Sequence, residues 1–390
     1  MTMPRFAPTR RQALAGMAAL PLAGYAAPLL GAETPTGPSL NALALRKGRR
    51  FGSCVGSHRR GALRGVVQNP AYTGILKTEC GIVVPENEMK WQFTRRGPEE
   101  YDFAGMDAIV AWARENGIAV RGHTLLWHRT KWFPEWLNNY DYGANSAREA
   151  ERLLVGHIRT VTDRYRGIIT SYDVVNETVL PDGTGLEETS MSRAMGSVEA
   201  VCDLAFHTAR EQMPEAELVY NDYMGWEPDH RAHCRKVLKL LEGFRKRNVP
   251  VDTLGLQSHI EIYSIDPASG LSPYVEREWR SFLDEAVAMG YRLIVTEFDV
   301  KDKALTGDIA RRDAQVAEYT RRYFELLLEY PQLGDILAWG MVDGYNWLQG
   351  FAPRDDGLEV RGSPFSSEFR AKPLRDALAL VLPAGTAQAG

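Results

Sequence analysis

Two glutamates, each at the end of an apolar run, are the residues of this chain best suited to acid and base chemistry. Glu177 closes the segment "DVVNE", and Glu297 follows the apolar residues of "LIVTEFD". Splitting a glycosidic bond requires a carboxylic acid that protonates the leaving oxygen and a carboxylate on the other side of the sugar. A single glutamate at a strand end is more often a salt-bridge partner or a helix cap. The hypothesis of such acid and base chemistry therefore rests on the two glutamates together.

The neighbours of these glutamates are typical of a sugar-binding site. Asn176 is suited to hydrogen-bonding a sugar 2-hydroxyl, an interaction that strengthens as charge develops on the ring. His259 and Asp299 can form an imidazole–carboxylate pair that orients His259 toward Glu297 and keeps that carboxylate ionised, although a structural core histidine remains the alternative. Groups that can bridge vicinal hydroxyls are Glu86, Asn87, Lys90 and His123, and flat faces for pyranose rings are Trp127, Trp339 and Trp347.

Eight short apolar runs alternate with helical patterns and predict the scaffold that positions these residues. The predicted strands are Phe51 to Val55, Gly81 to Val84, Ala119 to Gly122, Ile169 to Val175, Leu218 to Tyr220, Thr253 to Gln257, Leu293 to Thr296 and Ile336 to Trp339. Because no antiparallel hairpin is evident between them, the alternation favours a closed α/β (β/α)₈ TIM barrel. An open doubly wound sheet is the structural alternative, but no Gly-rich phosphate loop follows any strand.

A helical pattern with a clear end supports this alternation. In "FAGMDAIVAWARENG", Met106, Ile109, Val110 and Ala113 recur at helical spacing, and Gly117 supplies a stop. If the chain forms a barrel, the polar residues at the carboxyl ends of its strands meet on one face. Only a closed barrel would bring Glu177 and Glu297 face to face.

The composition is that of a globular protein and gives no sign of a polyanionic partner. Lys and Arg number 46 against 50 Asp and Glu, for a formal net charge of -4, without the basic stripe that nucleic-acid binding needs. We find no linker or low-complexity tract, so residues 41–382 are predicted to form one catalytic domain, followed by a C-terminal tail at 383–390.

The first 32 residues differ from the rest and read as an export signal. Arg10 and Arg11 precede an Ala/Leu/Gly run that ends in small residues, a pattern typical of the twin-arginine route. A membrane anchor is the alternative, but Pro21, Gly24 and Pro28 interrupt the run short of the roughly 20 apolar residues that a span needs. We expect a protein that is exported to the periplasm or secreted, without stable membrane association.

Neither the cysteines nor the histidines indicate a metal centre. Cys54, Cys80, Cys202 and Cys234 lack zinc-ligand spacing, while a Cys202–Cys234 disulfide and buried free thiols both remain open. Reading His123 and His128 as metal ligands is disfavoured because their five-residue spacing does not place them on one helical face. We therefore expect no metal and no cofactor.

Seven motifs occur in a recognisable order: "PENEMKW", "RGHTLLWH", "YDVVNE", "YNDY", "LGLQSH", "VTEFDV" and "AWG" followed by "NW". Together they make the chain resemble glycoside hydrolase family 10, the (β/α)₈ retaining endo-β-1,4-xylanases, across nearly its whole length after the signal. The resemblance implies Glu177 as acid/base and Glu297 as nucleophile. It also implies xylose contacts by Glu86, Asn87, Lys90, His123, Trp127, Asn176, Gln257, His259, Trp339 and Trp347, with Tyr223 on the leaving-group side.

On this basis we expect a monomer that acts on xylan and xylo-oligosaccharides. The chain departs from the family's usual pattern in the first loop, "CVGSHRRGAL", and in the loop "RTKWFPEW" after His128, which is longer and lacks a glutamine. Tyr172 also stands where a tryptophan often precedes the aspartate. A related retaining β-glucanase and a non-catalytic barrel that binds xylo-oligosaccharide remain as alternatives.

Overall fold

The computed structural model describes residues 37–57, 65–266 and 272–389, which belong to one compact unit. The predicted export signal at 1–32 lies outside these residues. Within the described part of the chain, no helix is long and apolar enough to cross a membrane.

Eight parallel strands close into a barrel. In chain order they are β1 Phe51–Val55, β2 Ile82–Pro85, β3 Ala119–Trp127, β4 Ile169–Asn176, β5 Glu217–Asp222, β6 Thr253–Leu256, β7 Arg292–Lys301 and β8 Leu333–Ala338. Each strand pairs in parallel with the next, and β8 pairs with β1 through Phe51 and Ile336, which completes the ring. The predicted (β/α)₈ TIM barrel is therefore confirmed.

Two strands extend well beyond the ends predicted from the apolar runs. β3 continues to Trp127 because His123 and Trp127 still pair with Asp173 and Asn176 of β4. β7 continues to Lys301 because its last residues, from Asp299 onward, pair with a short additional strand, His259–Glu261. Polar side chains therefore lie inside the strand ladders at this end of the barrel, where a hydrophobicity pattern alone does not reveal a strand.

Helices and turns occupy the connections between the barrel strands. The α-helices are Leu40–Leu45, Pro70–Glu79, Trp91–Thr94, Ala104–Glu115, Glu135–Asn138, Ser146–Arg164, Ser190–Met195, Val198–Gln212, Arg231–Lys246, Glu276–Ala288, Ile309–Leu327, Leu348–Phe351 and Pro373–Val381. Single 3₁₀ turns lie at Thr130–Trp132, Pro228–His230 and Asp343–Tyr345. Contrary to the sequence expectation, one antiparallel hairpin is present, between Arg95–Gly97 and Glu100–Tyr101. A Gly-Pro turn signal joins its strands.

The helix Ala104–Glu115 shows how the local sequence sets an element's limits. Its buried residues are Met106, Ile109, Val110 and Ala113, which recur at the spacing of one helical face. Gly117, just past its end, has φ of 66°. This left-handed conformation carries little cost for glycine, so the predicted stop lies where the helix ends.

A buried arginine ties the C-terminal residues to the amino end of the barrel. Arg49 donates from Nε to the Leu333 carbonyl at 2.7 Å and from Nη1 to the Thr386 carbonyl at 2.5 Å. The amide of Gln388 donates to the Lys47 carbonyl at 2.8 Å. The segment predicted as a tail thus has regular hydrogen bonds to the barrel.

All four cysteines are buried and free in the structure. Cys202 lies on the helix Val198–Gln212 and Cys234 on the helix Arg231–Lys246. Of the two possibilities left open by the sequence, the structure has the free thiols.

Gly122 in β3 is required by a tyrosine of the neighbouring strand. A Cβ at Gly122 would lie 2.2 Å from Cδ1 of Tyr172, whose ring is fully buried. We predict that Gly122→Ala lowers the free energy of unfolding by about 1–3 kcal/mol or more, because neither strand can move away from its barrel neighbours. Urea unfolding followed by circular dichroism measures this change.

Gly74→Ala is the matched control for Gly122→Ala. Apart from its chain neighbours and the nearby backbone of its own helix, no atom of the described residues lies within 4 Å of a Cβ at Gly74, which sits in the helix Pro70–Glu79. The control is expected to keep or raise stability, by up to about 1 kcal/mol, because alanine favours the helix. An unchanged unfolding midpoint for Gly122→Ala would contradict the packing described for β3 and β4.

Candidate active site

The predicted site residues lie at the carboxyl end of the barrel. Residues on the strands are His123 and Trp127 in β3, Asn176 in β4, and Glu297 and Asp299 in β7. Residues after strand ends are Glu86, Asn87 and Lys90 after β2, Glu177 after β4, Tyr223 after β5, Gln257 and His259 after β6, and Trp339 and Trp347 after β8. Hydrogen bonds and aromatic contacts connect most of these residues.

Glu297 is a buried carboxylate surrounded by donors. Its Oε1 accepts a hydrogen bond from Asn221 Nδ2 at 2.7 Å, and its Oε2 lies 3.2 Å from His259 Nε2. His123 Nδ1 is 3.9 Å from Oε1. Burial alone would raise the pKa of Glu297, but the His123 and His259 imidazoles outweigh it and hold the pKa below its usual value. Glu297 is thus ionised at neutral pH.

His259 is held between two carboxylates. Its Nδ1 lies 2.9 Å from Asp299 Oδ1, while Nε2 faces Glu297. Burial alone would lower the pKa of His259, but Asp299 and Glu297 together raise it to about 9. Trp347 donates from Nε1 to the second oxygen of Asp299 at 2.6 Å, and its ring lies 4.9 Å from the His259 ring. His259 therefore faces Glu297 as a cation.

Glu177 occupies the end of β4 with a different set of partners. Its Oε1 accepts from Gln257 Nε2 at 2.9 Å and from Asn176 Nδ2 at 3.3 Å. Its Oε2 lies 3.7 Å from Arg129 Nε. The backbone of Glu177 has φ of 52°, a left-handed value that is uncommon outside glycine and is often found at functional sites.

The electrostatic surroundings raise the pKa of Glu177. Burial is the largest cause, and the nearby charges of Asp222 and Glu297 add to it. The hydrogen bond from Gln257 and the charge of Arg129 act in the opposite direction. The two glutamates are therefore shifted in opposite directions, as a proton donor and an ionised nucleophile require.

A side-chain amide joins the surroundings of the two glutamates. Asn221 Nδ2 donates both to Glu297 and to Asn176 Oδ1, the latter at 2.8 Å. Thr296 Oγ1 donates to Asn221 Oδ1 at 2.7 Å, which fixes the orientation of the amide. A Cβ at Gly255 would lie 2.4 Å from that oxygen, so glycine in β6 leaves the space that the amide fills.

Lys90 and three tryptophans form the second part of the site. Lys90 Nζ donates to Asn87 Oδ1 at 3.1 Å and lies 4.7 Å from the Trp127 ring centre and 5.8 Å from that of Trp339. Burial lowers the pKa of Lys90, while Glu297 and Glu86 act to raise it. Trp127 stacks on Trp132 with ring centres 4.7 Å apart. Cation and flat aromatic faces thus lie side by side.

The structure gives His123 and His128 different partners. His123 Nδ1 lies 2.9 Å from Asp173 Oδ2, whereas His128 Nε2 lies 3.2 Å from Thr189 Oγ1. Burial lowers the pKa of His128 to about 4. Among residues 37–57, 65–266 and 272–389, no three His, Cys, Asp or Glu side chains are arranged to hold a metal ion.

Three residues of the site have no specific role assigned from the sequence. Asn221 belongs to the motif "YNDY" but received no role. Asp173 holds His123 and also accepts from Arg121 Nη2 at 2.5 Å; its signal was a charge inside an apolar strand. Arg129 begins the loop that departs from the family's pattern, and nothing in the sequence shows that its side chain turns back toward Glu177.

The comparisons with known proteins agree with this geometry. A family model described as "Glycosyl hydrolase family 10" matches residues 39–380. The chain belongs to glycosyl hydrolase family 10. It is 31% identical over 280 residues to an endo-1,4-beta-xylanase B of Thermotoga neapolitana, covering 72% of this chain and 75% of that protein. It is 30% identical over 348 residues to an endo-1,4-beta-xylanase 3 of Hypocrea jecorina, covering 88% and 86%.

A solved structure shows the same architecture. The xylanase 10B of Thermotoga petrophila RKU-1, in complex with xylobiose, superposes with a TM-score of 0.75 at 28% identity, covering 89% of this chain and 98% of that chain. The family suggested by the seven motifs is therefore confirmed, and with it the assignment of this family 10 protein as a glycoside hydrolase.

The raised pKa of His259 is predicted to depend on Asp299. Asp299→Asn keeps the shape of the side chain but removes its charge, so the pKa of His259 should fall from about 9 by at least about one unit. NMR titration of the histidine ring resonances measures it, with His259→Gln to assign the signal. An unchanged His259 midpoint would contradict the pairing described here.

Proposed function

We propose that this family 10 hydrolase is an endo-1,4-β-xylanase that cleaves internal bonds of xylan and xylo-oligosaccharides with retention of anomeric configuration. The observation that carries the proposal is the placement of two glutamates in adjoining parts of one hydrogen-bond network, with surroundings that shift their pKa values in opposite directions. The printed names of the two relatives, both endo-1,4-beta-xylanases, and the xylobiose complex of a similar structure support the substrate class.

In the first step, Glu297 attacks the anomeric carbon as a carboxylate. The bond from that carbon to the leaving oxygen breaks, and Glu177 transfers its proton to this oxygen. The product is a covalent glycosyl ester of Glu297. Since His259 and Asn221 both donate to Glu297 before attack, the carboxylate is oriented and ionised without a cofactor.

In the second step, Glu177 acts as a base. It takes a proton from water, whose oxygen attacks the anomeric carbon and releases Glu297 as a carboxylate. Esterification removes the negative charge of Glu297, which is one of the causes that raise the pKa of Glu177. The pKa of Glu177 is therefore expected to fall between the two steps, as its change from acid to base requires.

The remaining residues are proposed to bind the sugar chain. Asn176 lies between Glu177 and Asn221 and is suited to the 2-hydroxyl of the reacting sugar. Gln257 also contacts Glu177. Glu86, Asn87, Lys90 and His123 are assigned to sugar hydroxyls, Trp127, Trp339 and Trp347 to ring faces, and Tyr223 to the leaving-group side.

We also propose that residues 1–32 direct export and that residues 41–382 act as a monomeric catalytic domain outside the cytoplasm. The paired Arg10 and Arg11 before an apolar run support export.

The anomer released first tests the proposed reaction. We expect an NMR time course of xylohexaose hydrolysis by the wild type to show the β-anomer of the new reducing end before mutarotation, because two displacements restore the configuration. Early α-anomer would contradict retention. Binding without cleavage would favour a sugar-binding barrel, and faster turnover of carboxymethyl cellulose than of xylan would favour a glucanase.

Two variants assign the roles in the same assay. Glu297→Gln should abolish turnover. Glu177→Ala should lose about 10²–10⁴-fold on xylohexaose, which needs a proton on its leaving oxygen, but far less on an aryl β-xylobioside with a good leaving group. Glu188→Gln, at an exposed glutamate of the loop after β4, is the control and should retain wild-type rates. Equal losses of Glu177→Ala on both substrates would remove Glu177 from the acid role.

A further inference from the structure

A buried arginine joins the loops that follow three barrel strands beside Glu177. Arg129 is 7% exposed and lies two residues after the end of β3. Its Nη1 donates to Glu187 Oε2 at 2.7 Å, and its Nη2 donates to the Val179 carbonyl at 2.6 Å and to the Tyr223 hydroxyl at 2.8 Å. Val179 and Glu187 belong to the loop after β4, and Tyr223 follows β5.

Arg129 places a positive charge in this corner of the site. Its Nε lies 3.7 Å from Glu177 Oε2, so one guanidinium faces two carboxylates. Glu187 makes the direct hydrogen bond and thereby offsets much of the arginine's charge. The net charge felt at Glu177 therefore depends on both members of the Arg129–Glu187 pair.

The guanidinium also determines how the Tyr223 hydroxyl can bond. Arginine has only donors, so the Tyr223 oxygen must accept, and its own hydrogen stays free for another acceptor. The Tyr223 ring is held as well: the Arg129 guanidinium carbon lies 5.6 Å from its centre, and the His233 ring lies 4.4 Å away. Tyr223 is thus kept as a fixed donor beside Glu177.

We propose that Arg129 is a positioning residue for the leaving-group half of the reaction. Paired with Glu187, it sets the charge at the acid/base Glu177 and holds Tyr223 as a hydrogen-bond donor to the departing sugar. This inference rests on the proposed function, in which Glu177 is the general acid.

Removing the charge of Arg129 and removing the charge of Glu187 should shift the pKa of Glu177 in opposite directions. Burial is the main cause that raises the pKa of Glu177, and Arg129 opposes it. Within residues 37–57, 65–266 and 272–389, other charged or titratable groups that act on Glu177 include Asp222, Glu297, Lys90 and Tyr223. Of these, Asp222 is hydrogen-bonded to His233 and Tyr220, and Glu297 to His259. All of them are retained in the single Arg129 and Glu187 variants.

The experiment measures kcat/KM for xylohexaose against pH. Glu177 must be protonated for the first step, so its pKa sets the alkaline limb. Arg129→Gln removes an opposing positive charge and should move this limb up by about one pH unit. Glu187→Gln leaves Arg129 less compensated and should move the limb down. Arg129→Lys keeps the charge and should hold the limb closer to that of the wild type than Arg129→Gln does.

A merely structural Arg129–Glu187 bridge gives a different pattern. Loss of the bridge would then affect Arg129→Gln and Glu187→Gln alike. The proposal is overturned if the alkaline limbs of these two variants stay at the wild-type pH or move in the same direction. Circular dichroism and thermal unfolding check that each variant folds. If Arg129→Gln does not fold, Glu187→Gln and Arg129→Lys still carry the test, because an alkaline limb that does not fall in Glu187→Gln contradicts it.

A double-mutant cycle tests the Tyr223 half. Tyr223→Phe should lower kcat/KM about fivefold by removing the donor to the departing sugar. In the Tyr223→Phe protein, Arg129→Gln should lower kcat/KM by a smaller factor than it does in the wild type. If the two substitutions instead lower kcat/KM independently, Arg129 does not act through Tyr223.

Glu177→Ala separates this proposal from the proposed function. If Glu177 is the acid, its residual activity on xylohexaose should lose the alkaline limb. A limb that persists in Glu177→Ala would mean that another group is the acid, which refutes the function assigned to Glu177 and the Arg129 proposal built on it. Loss of the limb, combined with shifts of equal sign in the Arg129 and Glu187 variants, would refute only the role of Arg129.

Discussion

The amide of Asn221 is the contact on which the geometry of the site depends. Its nitrogen donates to Glu297 on β7 and to Asn176 on β4, so one planar group fixes the spacing between two strands that are not neighbours in the ring. This is possible only because the barrel closes and Asn221 stands on β5. Thr296 orients the amide oxygen, and Gly255 leaves room for it. The distance between the proposed acid and nucleophile is thus built from the strand register.

From this arrangement follows a division of charge between the two glutamates. His259 and the Asn221 amide surround Glu297 with donors, which favours its ionised form. Glu177 is half-buried near Asp222, and the Arg129 cation beside it is shared with Glu187, so the protonated form of Glu177 is favoured. The negative charge of Glu297 also raises the pKa of Glu177. Two chemically identical side chains therefore come to differ in proton affinity through their surroundings alone.

The barrel and most of the site could be predicted because their signals are local. Apolar runs mark the strands, and a polar residue after each run marks the functional rim. Features that depend on distant contacts cannot be predicted in this way. The strand β3 extends to Trp127 because it pairs with β4. The roles of Asn221 and Arg129 arise from partners that are far away in sequence. The left-handed backbone of Glu177 likewise has no signal in the residue type.

The most direct test of the account is the titration of the two carboxyl groups in the free wild-type protein. Glutamate labelled with ¹³C at the side-chain carboxyl gives a separate NMR titration for each residue, assigned with Glu177→Gln and Glu297→Gln. We predict that Glu297 titrates below, and Glu177 above, the ordinary glutamate pKa of about 4.3. Equal midpoints, or the reverse order, would contradict the assignment of acid and nucleophile.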